Sequence, residues 1–88
     1  MDDFEWDEAK SEWNRVHRGF GFDVVREFDW ESAVIEQDER KDYGELRYRA
    51  FGRVGIRPYF VAFTRRGSKV SIISVRRMHR KEARQYGL

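Results

Sequence analysis

The sequence predicts an α+β domain in which N-terminal helices pack on an antiparallel sheet and a C-terminal helix follows it. Three observations predict this class. Apolar residues up to Phe28 recur at helical spacing, the period drops to two from Ser32 onward, and Gly55 and Gly67 divide the second half into runs of strand length.

The elements follow in order. Phe4-Glu5-Trp6 alternates apolar and acidic residues and reads as a short strand. Asp7 can cap a helix whose buried stripe is Ala9, Trp13 and Val16, with Gly19 and Gly21 as its stop. Asp23 to Phe28 predicts a second, shorter helix that buries Val24, Val25 and Phe28. Ala33 to Gln37 reads as a strand and Asp38 to Gly44 as a polar loop. Leu46, Tyr48 and Ala50 then alternate with Arg47, Arg49 and Phe51, a half-buried strand with a basic face. Pro58 belongs at a strand start or edge, and Tyr59 to Thr64 is apolar enough for a central strand. Lys69 to Val75 alternates again, so residues 46–76 should hold three consecutive antiparallel strands. Met78 to Tyr86 predicts a basic helix with Ala83 and Tyr86 turned inward. No repeat, low-complexity stretch or linker interrupts the chain, which reads as one domain over 1–88.

A chain of 88 residues has room for one core and buries roughly 60–65% of its unfolded surface. Seven Phe, four Tyr and three Trp can build that core despite 39% charged residues, which argues against disorder. Without cysteine there can be no disulfide or thiolate metal site, and the cytoplasm is the default compartment. The longest wholly apolar run is Tyr59 to Phe63, and the chain opens on acidic and aromatic residues. Neither a signal peptide nor a membrane span is expected.

The net charge of +2 hides a split. Residues 1–45 carry six Lys/Arg against fifteen Asp/Glu, whereas residues 46–88 carry twelve against one, Glu82. Fourteen of the eighteen cations are Arg, the side chain suited to bidentate contact with phosphate or carboxylate. Such a half-chain can bind phosphates, dock an acidic protein or pair with its own acidic half. A solvated face laced with salt bridges is the fourth reading.

No Gly-rich phosphate loop, nucleophile elbow or zinc spacing is present, and His17 and His79 lie far apart outside any ligand pattern. No metal or other cofactor is therefore expected. Two constellations remain. Trp6, Lys10, Asn14 and His17 or Arg18 follow one another at helical steps, beside the stripe of Ala9, Trp13 and Val16. An ammonium, an amide and an imidazole or guanidinium in one line suit a phosphodiester with an adjacent proton transfer. The same pattern also describes an exposed polar helix face with Trp6 in the core. In the second constellation a strand ends in Arg76 and Arg77, and a helix opens with His79, Arg80, Lys81 and Glu82 and reaches Tyr86. Arg76 at a strand end can be aimed; Glu82 either orders that guanidinium or serves as a base, with the first favoured. Arg47, Arg49, Arg65 and Arg66 extend the positive surface across the sheet.

Phe4-Glu5-Trp6-Asp7-Glu8-Ala9-Lys10, Asn14, Gly19 and Phe22 begin a longer pattern. It continues with Asp42-Tyr43-Gly44-Glu45-Leu46-Arg47, Gly52, Thr64-Arg65-Arg66-Gly67, Ile72-Ile73-Ser74-Val75-Arg76, Glu82 and Tyr86. Order and spacing together resemble the BrnT family, the toxin halves of BrnT–BrnA type II toxin–antitoxin pairs, over nearly the whole length. The resemblance implies a small RelE-like α+β fold and a ribonuclease that cleaves RNA and so arrests translation. It also implies a BrnA-like antitoxin whose own domain supplies operator-DNA binding and autorepression. The family usually shows Lys-His-Gly after the Asn, whereas this chain has His17-Arg18-Gly19. One residue turns a helical side chain by about 100°, which moves the imidazole off the family's position.

On this reading the chain is a metal-independent endoribonuclease. The RNA 2′-hydroxyl attacks the adjacent phosphorus while Arg47, Arg66 and Arg76 hold the phosphate and stabilise its growing charge. His17 or Lys10 transfers the proton, with Glu45 and Glu82 as competing candidates. Arg49, Arg77 and Trp6 complete the expected RNA-binding set. Expected partners are the RNA substrate and a BrnA-like antitoxin, as a dimer or a toxin–antitoxin hetero-oligomer, without a membrane. The alternative is a non-catalytic BrnT-like binding module whose Arg-rich face holds an acidic protein or nucleic acid. A DNA-binding transcription factor fits less well, because no basic recognition helix follows a short turn.

Overall fold

The chain runs β1 (Asp3–Trp6), α1 (Glu8–Arg18), a 3₁₀ helix (Phe22–Arg26), β2 (Val34–Gln37), β3 (Tyr48–Val54), β4 (Arg57–Arg66), β5 (Lys69–Arg77) and α2 (Arg80–Gln85). The computed structural model describes residues 3–88. Its five strands form one sheet in the order β1-β5-β4-β3-β2. The strands from β2 to β5 pair antiparallel, so residues 46–76 do contain three consecutive antiparallel strands. β1 instead runs parallel to β5, Asp3 opposite Lys69 through Trp6 opposite Ile72, and the sheet is mixed rather than wholly antiparallel. Parallel pairing follows from the crossover: the rest of the chain lies between the two strands and lets β5 return in the same direction.

Each hairpin turn has two residues, with Gly55 and Gly67 first at φ +62°. That position of a II′ turn requires positive φ, which glycine reaches without a Cβ clash. β5 carries one further irregularity. Ala62 faces Ser74 but Phe63 faces Ile72, so Ile73 is an extra residue in the ladder. Val70 and Ile72 point into the main core; after the bulge it is Val75 that does so, and Arg76 turns to the opposite face beside Phe60.

Two clusters sandwich the sheet. The larger unites Phe22, Val25 and Phe28 with Val61, Phe63, Val70 and Val75 of the central strands. The smaller places Met78 and Ala83 against Phe51 and Phe60, with Tyr86 stacked on Phe51 at 3.8 Å between centroids. The segment expected as a second α-helix over Asp23 to Phe28 is the 3₁₀ helix; Val25 and Phe28 are buried and Val24 is half-buried. Among the described residues no helix is long and apolar enough to cross a membrane.

The first helix corrects its expected orientation. Asp7 caps it as anticipated, accepting from the N–H of Ala9 at 2.8 Å. Yet Ala9 is exposed, and Trp13 and Val16 are 52% and 63% exposed. The inward residues are Ser11 and Asn14: Ser11 Oγ accepts from Phe22 N–H at 2.8 Å, and Asn14 is 2% exposed. A helix that docks beside a strand edge and a loop meets open backbone groups, and these need polar partners rather than an apolar stripe.

Candidate nucleic-acid interface

The interface is built where β1 stops. Pairing with β5 ends at Ile72, so among the described residues no strand lies beside the outer edge of β5 from Ile73 to Arg77. α1 fills part of that gap with side chains. Arg18 donates to the Val75 carbonyl at 2.9 Å and to Asn14 Oδ1 at 3.1 Å, while Asn14 Nδ2 donates to the Phe20 carbonyl at 3.0 Å. Asn14 thus couples the helix, the loop after it and the guanidinium that caps the sheet edge.

Arg76 is the most constrained cation of this edge. Its two terminal nitrogens donate to the two oxygens of Glu82 at 2.9 and 3.0 Å, a fork-to-fork pair. Its guanidinium lies 4.4 Å from the ring centre of Phe60. The Arg76 hydrogen bonds, followed by its charge, hold the Glu82 carboxyl below the usual range against the opposing effect of partial burial; the backbone N–H and the charge of His79 add to the same direction. Glu82 is therefore an anionic acceptor at neutral pH, a poor proton donor and a weak base.

Arg18, Phe20, Arg76, Arg77 and His79 line a cleft of about 310 Å³. A second cleft of about 200 Å³ shares Arg18 and adds Lys10, Trp13, Asn14 and Ser74. Together they form a run of cations along the open edge, with an exposed indole beside it. The Arg18 guanidinium sits 5.6 Å from the centre of the Trp13 ring.

The expected residues divide between this edge and other places. Arg76, Arg77 and Lys10 lie along it, and Glu82 stands behind Arg76. His17 is not among the residues lining either cleft. Its ring stacks on Trp13 with centroids 4.2 Å apart, and its Nδ1 lies 2.9 Å from the Trp13 carbonyl. Because a carbonyl only accepts, that nitrogen carries the proton. Trp6 packs half-buried against the main core, donates its indole N–H to Glu8, and has Arg26 over its ring at 5.2 Å.

Arg47, Arg49 and Arg66 are elsewhere and occupied. Arg47 and Arg66 share Glu45 at 3.3 Å each, Arg47 also lying over Tyr43 at 4.2 Å. Arg49 pairs with Glu36 at 2.9 Å. Arg66 lies six residues along β4 from Phe60, the ladder partner of Arg76, which corresponds to about 20 Å. Arg66 and Arg76 therefore do not converge on one phosphate. Much of the split charge is thus internal: the acidic half neutralises this end of the sheet and leaves the α2 end open.

Two features of the edge go beyond the sequence reading, which names His79 only as the opening of a helix and Trp13 only as a core residue. His79 follows the strand end by two residues, stands at the N-cap position of α2 without a side-chain capping bond, and lines the cleft. The apolar spacing of Trp13 is that of a buried stripe, yet its ring is exposed at the edge. Among the described residues no group of three or more His, Asp or Glu is placed to hold a metal ion.

A family model described as "Ribonuclease toxin, BrnT, of type II toxin-antitoxin system" matches residues 6–82. The chain belongs to the BrnT family. No curated protein matches it. The BrnT match spans the whole open edge, from Trp6 through Lys10, Arg18 and Arg76 to Glu82. Membership makes the chain a ribonuclease toxin of a type II toxin–antitoxin system, with an RNA target and an antitoxin partner.

Proposed function

We propose that this BrnT chain is a metal-independent endoribonuclease that cuts RNA at the open β5 edge and so arrests translation in the cytoplasm. The observation that carries the reading is the convergence of Arg18, Arg76, Arg77 and His79 on one cleft, with Arg76 locked by Glu82. A phosphodiester seated there has guanidinium donors at its non-bridging oxygens. The neighbouring 2′-hydroxyl attacks phosphorus as its proton passes to a base, the P–O5′ bond breaks, and the 5′-oxygen takes a proton as it leaves. The products are a 2′,3′-cyclic phosphate and a 5′-hydroxyl.

The growing charge on phosphorus falls on preorganised guanidinium groups, a term worth on the order of 10²–10³ in rate per donor in other enzymes. His79 is the imidazole within the cleft and Lys10 the ammonium beside it; His17 reaches the edge only across Trp13. The exposed Trp13 ring offers a stacking platform for a base next to the scissile phosphate. The fold is read as RelE-like, and the antitoxin as BrnA-like, held with the toxin in a hetero-oligomer.

The purified chain, incubated with 5′-labelled RNA in excess EDTA, should yield fragments ending in a cyclic phosphate. Induced expression should stop growth and fragment RNA, and a co-expressed BrnA-like protein should restore both. Intact RNA and normal growth would overturn the reading. One observation favours a non-catalytic BrnT-like binding module instead. At the position where the family carries its histidine this chain has Arg18, whose guanidinium is committed to Asn14 and Val75.

A further inference from the structure

A cleft of about 550 Å³ lies between the β3–β4 turn and α2. Its floor is aliphatic: Pro58, Met78, Ala83 and Leu88. Its rim is cationic, with Arg57, Arg77, Arg80 and Arg84. None of these four forms an ion pair with a described residue, although Glu5, Glu12, Glu36, Asp38, Glu45 and Glu82 each hold a cation elsewhere. Ile56, the second residue of the β3–β4 turn, stands at the same rim and is 90% exposed. The turn tip thus adds one exposed aliphatic side chain to an aliphatic floor, beside four guanidinium groups that pair with no described residue.

From this pairing we infer that the cleft is the docking site of an acidic, aliphatic-anchored peptide segment of a protein partner. The anchor would cover Ile56 and settle over Met78 and Pro58, and flanking carboxylates would meet the guanidinium rim in bidentate pairs. Charge complementarity requires an anionic occupant, and the floor selects between anions. Single-stranded RNA binds through aromatic rings that stack its bases, and no aromatic side chain lines this cleft. An amphipathic peptide needs an aliphatic floor and no ring. Because Arg77 belongs both to this cleft and to the one that holds His79, a peptide seated here brings a carboxylate to a cation offered to RNA. Docking and RNA binding therefore compete.

The test uses the intact chain and three fluorescent probes of about twelve residues or nucleotides each. One is a synthetic peptide with leucines one helical turn apart flanked by glutamates. The second is the same peptide with glutamine for every glutamate, and the third is oligouridine. At near-physiological salt the acidic peptide should bind saturably and displace oligouridine, and the glutamine version should bind at least about tenfold more weakly. Ile56→Ser should weaken the acidic peptide by about tenfold while changing oligouridine affinity by less than about twofold, and Ile56→Leu should restore the peptide. Thermal melts should show the folded state unchanged, since Ile56 is at an exposed turn. Three outcomes overturn the proposal: no saturable binding of the acidic peptide, equal binding to wild type and Ile56→Ser, or equal losses for peptide and oligouridine, which would make the cleft an RNA surface. The readout needs no cleavage, so a chain that leaves RNA intact but passes these measurements separates this inference from the ribonuclease reading.

Discussion

The guanidinium of Arg76 lies 4.4 Å from the ring of Phe60, its direct neighbour across the β4–β5 ladder, and Glu82 closes it from α2 with two hydrogen bonds. An aromatic face, a carboxylate and a strand backbone fix the plane of one side chain. Two of its five N–H donors go to Glu82 and Nη1 also lies 3.4 Å from the Arg77 carbonyl, so the remaining donors sit at the cleft in a plane that is already fixed.

Replacing Arg76 tests whether this fork is used. Arg76→Ala should lower RNA cleavage by on the order of 10²–10³. Arg76→Lys should also be poor, because an ammonium keeps the charge and loses the planar fork. Arg76→Ala should lower stability by only about 1–2 kcal/mol, the scale of leaving one partly buried acceptor unpaired. Single-turnover cleavage and denaturant melts on the same preparations check both parts. Full activity in the alanine variant would move the site elsewhere.

The Arg76–Glu82 pair also carries a pH signature. Glu82 titrates below its usual 4.5 in the folded chain. Its contribution to stability is therefore fully present above that unfolded value and is lost as pH falls through the lower folded value. Other carboxylates here are depressed as well, Asp38 by Arg40 most strongly, so the comparison must be differential. The gap in melting temperature between wild type and Glu82→Gln should be constant above about pH 5 and shrink below the usual glutamate range. A gap that persists to acid pH would show that the carboxylate charge is not what stabilises.

The two histidines give a direct contrast. His79→Gln should reduce cleavage by about 10²–10⁴. His17→Gln, outside the cleft lining, should change the rate far less. The reverse ranking would return the proton transfer to α1.

Two tryptophans separate binding from folding. Trp13 is 52% exposed beside the cations, so Trp13→Ala should leave the melt nearly unchanged and weaken RNA binding by about 1–3 kcal/mol per stacked base. Trp6 packs on the main core, and Trp6→Ala should cost about 3 kcal/mol of stability with RNA affinity retained in the folded fraction. Anisotropy with labelled RNA and thermal melts distinguish the two.

Gly52 tests how the segment after the 3₁₀ helix packs on the sheet. A Cβ at this position would meet Phe28 Cζ at 2.7 Å and Ala33 Cβ at 3.1 Å. Gly52→Ala should lower stability by about 1–3 kcal/mol through overpacking. A melt at or above the wild-type value would mean that Phe28 can give way.

The sequence by itself determined the local elements of this protein. Period-two alternation and two turn glycines defined the β3–β5 meander, Asp7 and Gly19 delimited α1, and the order of short motifs pointed to the family that the match over residues 6–82 shows. Those signals act between near neighbours and survive in one dimension. Orientation was decided in three dimensions. Trp13 and Val16 have the spacing of a core stripe but face solvent, because α1 meets a strand edge and a loop, where the Val75 carbonyl takes Arg18 and the Phe20 carbonyl takes Asn14. The extra residue Ile73 inverts the faces of β5, which no count of alternating residues from Val70 reveals; it carries Arg76 away from the core and onto Phe60. Register likewise set Arg66 about 20 Å from Arg76, although both belong to one basic half-chain. A charge total is additive along a sequence, whereas a phosphate site depends on distances and directions, and those arise only when the strands pair.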